Sequence, residues 1–423
     1  MSNPKKNQSV GKRLVSNALM LYILTFSNYI LFLITIPYQT RILGPELFGH
    51  IGFAMAFAAY FQLVVEFGFM ILATELVSRH RDDKGQLSLI LSTVTWCKVG
   101  LAILATVVLY LLCMFVDPFR QDPLLYVLFF VSSVLAAFVP DFIYRGLENM
   151  RAITLRTVVI RLFFTLMIFV VLKTEADYYW IPTLGIIGNI GALIVVGWDL
   201  ASKDIRFQKT SLRQAAGMLK QSSQFFYSRI ATNIYSATNT FVLGILYGPA
   251  SALVGFYASA DRLVVAAKQG IIPVIDSVYP YMVRHKDFRL IKKLLIIGLP
   301  ILAAGCLVVA IFAESICALI FGEEFREAGQ YLRLLTPVIF FAFPGMLFGF
   351  PVLSPLGLSK YANMSNVFGA ILQVLQLVAL LSIGRLSILT ICIATVITEL
   401  ATLSFRLVVV WRYRHLIGAE NTK

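Results

Sequence analysis

Apolar stretches long enough to cross a bilayer recur along the whole chain. They lie at 14–37, 48–77, 87–116, 122–144, 153–172, 179–200, 222–246, 251–283, 291–320, 330–353, 361–383 and 386–411. A hydrocarbon core of about 30 Å takes about 20 helical residues. Lipid offers no partner to backbone N–H and C=O groups, so each stretch must be a helix or part of a closed barrel. Barrel strands of about 9–11 residues are too short to account for them. The chain is therefore expected to be an all-α integral membrane protein with about twelve transmembrane helices. Pro140, Pro273, Pro300 and Pro344 fall inside these stretches and predict kinks.

Composition narrows the function classes. Of the 423 residues, 59% are hydrophobic and 14% charged, where a soluble domain carries about 25% charged residues. A soluble enzyme, a disordered chain and a disulfide scaffold are excluded. The five cysteines (Cys97, Cys113, Cys306, Cys317, Cys392) all lie in apolar runs without a CxxC pair, and read as small core hydrophobes. The basic start (Lys5, Lys6, Lys12, Arg13) leads into an uninterrupted apolar run, which reads as a first span and not a removed signal. No GxxxxGK[ST] motif occurs, so no intrinsic ATP motor is expected. The four histidines are scattered without metal-ligand spacing. No cofactor or metal is expected.

The net charge of +14 would suggest nucleic acid in a soluble protein. Here it follows the positive-inside rule. The N-terminus, 78–86, 145–156, 201–220, 284–293, Lys360 and the C-terminal tail together hold 25 of the 36 basic residues. The opposite loops hold six: Arg41, Arg120, Lys173, Arg326, Arg333 and Arg385. This split puts both termini in the cytoplasm and leaves nucleic acid out. The longest polar stretch, 201–220, is basic and amphipathic. It reads as a linker between two six-helix halves, 1–205 and 206–423, either a surface helix on the cytoplasmic leaflet or a solvated loop. The halves look repeated. Leu43-Gly44-Pro45 precedes Ile51-Gly52-Phe53-Ala54, and Tyr247-Gly248-Pro249 precedes Val254-Gly255-Phe256-Tyr257. A parallel duplication would relate the bundles by a pseudo-two-fold along the membrane normal.

Charges inside the spans are where function concentrates. Lys98, Arg161, Arg229, Arg262 and Lys268 lie there with Glu66, Glu75, Asp141, Asp261, Asp276 and Glu399. A charge at the bilayer centre costs at least about 3 kcal/mol against lipid, so such groups face water or one another. In span eight, Tyr257, Asp261, Arg262, Lys268, Gln269 and Asp276 share one helical sector. Either an Asp261–Lys268 pair within the helix or a cleft wall explains this. Arg229, Asn233, Ser236 and Thr240 share a face of span seven, and Asn17, Thr25, Asn28 and Thr35 one of span one. If the halves are duplicates, Glu66 is a candidate partner for Lys268. Arginine in a cleft suits phosphate, because its planar donors match phosphate oxygens. Buried carboxylates suit ion coupling, with Glu66, Asp261 and Asp276 as candidates. Together they point to a carrier of a bulky, anionic, partly lipidic substrate.

Several segments resemble the Wzx-type O-antigen and polysaccharide flippases, of the superfamily that also holds lipid II flippases and MATE exporters. These are IPYQTRILGPELFGHIGF (36–53), PDFIYRGLENM (140–150), VLKTEADYYW (171–180), VGFYASADRLVVAAKQGIIPVIDSVYPY (254–281) and LTICIATVITEL (389–400). Departures are Asp141-Phe142 where a Trp is usual, Gln373 near a common Asn, and IGRLSIL in place of a glycine-rich stretch. The resemblance implies two six-helix bundles with alternating access and a cationic central cavity. By position, that role falls to Arg229, Arg262 and Lys268, with Arg41 near the outer rim and Asn28 and Asn233 on the polar faces.

The expected function is a bacterial inner-membrane flippase for undecaprenyl-pyrophosphate-linked oligosaccharide, driven by proton or cation movement and not an enzyme. Its partners would be the lipid-linked glycan and the bilayer. A polymerase and a chain-length regulator are left open as protein partners. The alternatives are a MATE-type exporter of cationic compounds, which the cations of span eight argue against, and a membrane-embedded polymerase or glycosyltransferase, which the short outer loops argue against.

Overall fold

A computed structural model describes the backbone of residues 4–416 and the side chains of residues 20, 27, 31, 34–226, 229–230 and 238–416. Among the described residues the regular structure is helical throughout, with no strand. The first helical run, Pro4–Glu66, is broken at Gly44 (φ 66°, ψ 175°), giving α1 (4–43) and α2 (45–66). A β-carbon is disfavoured at this positive φ, and the following proline lacks an N–H, so Gly44-Pro45 ends one helix and starts the next. The chain turns again at Phe67 and Gly68, both with positive φ, and α2 resumes as Phe69–Arg79.

The remaining membrane helices follow in order. They are α3 (Lys84–Phe115), α4 (Pro123–Phe138, continued by Asp141–Gly146), α5 (Met150–Val171) and α6 (Trp180–Ser202). Then come α7 (Leu212–Tyr247), α8 (Ala252–His285), α9 (Phe288–Ile311, continued by Ala313–Phe321), α10 (Ala328–Leu347, continued by Phe350–Leu353), α11 (Ser359–Ser382) and α12 (Ile388–Arg412). Local caps fix several starts: Asp83 accepts from Gln86 N, Asn149 from Ala152 N, and Ser387 forms a capping box with Thr390. Pro140 breaks α4, while Pro273, Pro300 and Pro344 sit inside continuous helices.

Among the described residues, nine helical segments are long and apolar enough to span a bilayer. In the most apolar window of α9 no residue is buried within the protein, and in the whole of Phe288–Ile311 only Ile291 is. Side chains such as Ile296, Ile301, Leu307 and Ile311 are exposed, as expected where lipid is the solvent. By contrast α8, at 34 residues, is long enough to span but carries Asp261, Arg262, Lys268 and Asp276.

The chain divides into two compact units, residues 1–43 with 54–230 and residues 44–53 with 231–423. In the first unit, Phe69, Leu91, Val94, Phe142, Ile143 and Val196 pack into one core. In the second, Val278, Met282, Ile291, Leu347 and Val352 do so. The unit boundary at Ile230 falls inside α7, whereas 205/206 falls in the connecting segment. The start of α7 is held to the first unit where Ser222 Oγ donates to Phe67 O (2.7 Å) and the Phe226 ring stacks on Phe67 (4.3 Å).

Between α6 and α7 the polar stretch forms no separate surface helix, and residues 206–209 are exposed. Residues 205–211 have no regular structure and 212–220 are the first turns of α7. The irregular piece is tied to α3: Arg206 N donates to Ser88 Oγ (3.1 Å) and Gln208 N to Ser92 Oγ (2.7 Å). Ile205 is buried, and Lys84 Nζ donates to Asp204 at 2.9 Å. That ammonium holds the Asp204 carboxyl below the usual carboxylate range.

Candidate functional site: buried charges within each unit

In the first unit, α2 ends on Glu66 just before its break. Arg229 on α7 pairs with it, Nη1 to Oε2, at 2.7 Å, and Gln62 Nε2 donates to its other oxygen at 2.9 Å. Glu66 and Arg229 are 15% and 32% exposed, so both charges are largely withdrawn from solvent. The break after Glu66 lets α7 approach, because a β-carbon at Gly68 would lie 2.9 Å from Phe226 N. A second pair, Arg156–Asp141 at 2.5 Å, joins α5 to the continuation of α4.

Lys98 has a structural role. Its Nζ donates to Ala137 O at 2.5 Å and lies 5.6 Å from the Phe142 ring centroid. Pro140 interrupts α4, and Asp141 N donates to Val139 O (3.0 Å) in place of Ala137 O. Lys98 thus caps a carbonyl that the helix break releases, which a membrane interior would otherwise leave unsatisfied.

In the second unit, Asp261, Lys268 and Gln269 of the polar sector of α8 line cavities shared with residues of α10, α11 and α12. Lys268 Nζ pairs with Glu399 Oε2 at 2.9 Å. This is neither the Asp261–Lys268 pair within α8 nor the Glu66–Lys268 pair that the sequence suggests. Each of those acids is placed differently, Glu66 on Arg229 and Asp261 on a cavity. Asp261 makes no hydrogen bond or ion pair among the described residues. It lines a cavity of about 250 Å³ with Asn239, Lys268, Gln269 and Thr395. Arg262 stacks on Phe48, with Cζ 4.5 Å from the ring centroid, a geometry that offsets part of the loss of hydration. Asp276 is exposed on α8.

Arg41 is exposed at the end of α1. Asn28 and Asn233 lie outside the described residues, as do Asn17, Thr25 and Ser236. Thr35 donates to Leu31 O at 2.8 Å.

Sequence reasoning missed two groups. The first is a polar chain inside the second unit. Asn239 Nδ2 donates to Tyr257 OH (2.9 Å) and Thr395 Oγ1 (3.0 Å), Gln373 Nε2 donates to Asn239 Oδ1 (2.9 Å), and Thr398 Oγ1 donates to Gln373 Oε1 (2.7 Å). Every member shares a face of α7, α8, α11 or α12, a signal that needs the fold to be read. The second is Arg406. By its place near the end of α12 it counts among the basic residues of the tail. It is instead partly buried, donating to Ser365 Oγ (2.8 Å), Gly345 O (2.5 Å) and Asn366 Oδ1 (2.6 Å). Among the described residues no three His, Cys, Asp or Glu side chains gather as a metal site would require.

Comparison with known proteins places this arrangement. Residues 14–286 match the model of the family described as "Polysaccharide biosynthesis protein". A protein of Escherichia coli (strain K12) named "Putative O-antigen transporter" is 27% identical over 399 residues, covering 91% of this chain and 93% of its own. One of the same name from Shigella dysenteriae is 26% identical, covering 85% of this chain and 91% of its own. Among solved structures, the lipid II flippase MurJ in an inward closed conformation superposes with a TM-score of 0.70 at 13% identity, covering 94% of this chain and 87% of that one. An inward-facing multidrug resistance MATE transporter of the MOP superfamily does so with a TM-score of 0.67 at 14% identity, covering 96% and 99%. These likenesses show the fold, two six-helix bundles in an all-α membrane protein. The family match spans more than half of the chain, and the protein belongs to the polysaccharide biosynthesis protein family.

Proposed function

We propose that the protein is a flippase that carries an undecaprenyl-pyrophosphate-linked oligosaccharide, an O-antigen unit or a related repeat, from the cytoplasmic to the periplasmic leaflet of a bacterial inner membrane. Alternating access of the two bundles moves the sugar and pyrophosphate, while the polyprenyl tail stays in lipid. Relatives named as O-antigen transporters support this reading.

The observation that carries it is the placement of cations on the two polar helices. Arg229 on α7 and Arg262 and Lys268 on α8 are held in place by Glu66, the Phe48 ring and Glu399. A cation in a spanning helix costs at least about 2.5 kcal/mol if it faces lipid. Arg262 and Lys268, both on α8 within the second unit, fit a polyanionic headgroup and fit a cationic drug poorly, and Arg229 is the candidate cation of the first unit. Arg41, Asn28 and Asn233 would add contacts to the sugar or phosphate. Of the candidate coupling acids, Asp261 suits proton carriage best, because it lines a cavity without an ion-pair partner among the described residues. Glu66 is engaged by Arg229.

The test is the glycan profile of cells lacking the protein. Single repeat units accumulating on the polyprenyl carrier, with none at the surface, are the expected result. Single units displayed outside but never lengthened would make the protein a polymerase and overturn the reading.

A further inference from the structure

Within the second unit, Lys268, Gly345, Asn366, Glu399, Thr402 and Arg406 line a cavity of about 230 Å³ drawn from α8, α10, α11 and α12. Lys268 and Glu399 cancel each other's charge at 2.9 Å. Arg406 makes no hydrogen bond or ion pair to a carboxylate among the described residues: its three hydrogen bonds go to a hydroxyl, a main-chain carbonyl and an amide oxygen, and the one carboxylate whose charge reaches it, Glu399, is already paired with Lys268. A guanidinium has five N–H donors, so two remain unengaged among those residues. Asn366 spends its oxygen on Arg406, and its NH2 group donates to no described residue. The lining therefore carries one excess positive charge and a surplus of donors.

The guanidinium is placed, not stray. Its three acceptors come from α10 and α11. A β-carbon at Gly349 would lie 3.2 Å from Arg406 Nη1, and one at Gly345 would lie 3.9 Å away. A side chain at Gly349 would crowd the guanidinium, whereas the distance at Gly345 is ordinary contact. A fixed arginine with free donors beside a lysine is the arrangement that takes phosphate oxygens in paired hydrogen bonds. Within a membrane protein an uncompensated cation in such a cavity favours an anionic guest.

We propose that this cavity is an oxyanion subsite for a lipid-borne phosphate, with Arg406 and Asn366 as its donors and Lys268 as the second cation, pinned by Glu399 when the site is empty. The phosphate comes either from the pyrophosphate of the carrier lipid or from a bilayer phospholipid headgroup. The first source deepens the flippase reading and rests on it; the second does not.

The experiment uses the full-length protein in maltoside micelles free of phospholipid, titrated with inorganic pyrophosphate and followed by native mass spectrometry and thermal unfolding. Pyrophosphate is expected to bind the wild type and raise its Tm. N366D keeps an acceptor for Arg406 and adds a negative charge. It is expected to retain the Tm of the empty protein and to weaken pyrophosphate binding by about tenfold or more, the loss of a charge-assisted contact. R406Q is expected to weaken binding similarly. Wild-type affinity in N366D overturns the subsite, because a purely structural Arg406 tolerates or prefers the new carboxylate. Competition identifies the source. Displacement by polyprenyl pyrophosphate alone assigns the carrier lipid, and equal displacement by phosphatidylglycerol assigns the bilayer. Failure of binding leaves the glycan profile of cells lacking the protein untouched, so the two readings fall separately.

Discussion

Lys268 on α8 and Glu399 on α12 are paired at 2.9 Å, with side chains only 20% and 14% exposed. Removing one partner from such a pair strands the other charge, which costs about 3 kcal/mol or more. K268M is expected to lower the Tm of the purified protein, and K268M/E399L to recover most of the loss, because replacing both members by apolar groups is often close to neutral. Export is expected to stay defective in the double variant, since the recovered stability does not restore the cation. Thermal unfolding beside surface-glycan blots separates the two effects. Full export by K268M/E399L would leave the pair a structural tie alone.

Lys98 gives the opposite expectation. Its ammonium caps the Ala137 carbonyl that the Pro140 break releases. K98M removes the donor and leaves a buried acceptor unsatisfied, a loss of about 1–3 kcal/mol. Protein levels are expected to fall while export per molecule stays near wild type. Export lost at normal levels would instead move Lys98 into the transport machinery.

Much of the fold is legible in the sequence because lipid enforces it. Twelve apolar stretches, a Gly-Pro turn at 44–45 and a proline break at 140 have direct counterparts in the structure. The charged sector of α8 is legible for the same reason: no lipid-facing helix tolerates Asp261, Arg262, Lys268 and Asp276 together. What each charge meets is less legible, because partners come from distant helices. Glu399 lies 131 residues from Lys268. Arg406 reads as tail because it lies near a helix end, and only the fold brings Gly345, Ser365 and Asn366 around it. Lys98 has a partial cue in Pro140, which cannot continue the helix, but that the Ala137 carbonyl is the one left over follows only from Asp141 N turning to Val139 O. For 201–220, basic and amphipathic composition does not reveal that 212–220 open α7, nor that Ser88 and Ser92 of α3 accept from the Arg206 and Gln208 N–H groups.

Arg262 stacks on Phe48 at 4.5 Å, and the proposed function gives it the substrate's phosphate. R262A is expected to abolish export at normal protein levels. R262K keeps the charge but loses the planar donors and the stacked contact, so export is expected to fall by about tenfold. Equal, near-wild-type export in both would remove Arg262 from the substrate site. F48L tests the ring itself: Phe48 is fully buried, so some loss of Tm is expected, and export per molecule is expected to fall by about a further fivefold for a cation–π contact of about 1 kcal/mol.

The start of α2 and the start of α8 cross at backbone contact. A β-carbon on Gly255 would lie 1.9 Å from Pro45 O, and one on Gly49 would lie 2.7 Å from Gly255 N. No side chain fits there, so G255V must push the two segments apart, which costs about 1–3 kcal/mol by overpacking. Gly270 on the same helix has nothing within 4 Å of its β-carbon position. G270A is therefore expected to be neutral or to gain about 0.5–1 kcal/mol from helix propensity. If the crossing must close in one state of the transport cycle, G255V loses export more steeply than its Tm loss predicts, and G255A lies between it and the wild type. Tm and surface glycan measured across G255A, G255V and G270A decide the matter: export that tracks stability alone in all three makes the crossing a packing contact, and export lost ahead of stability makes it part of the cycle.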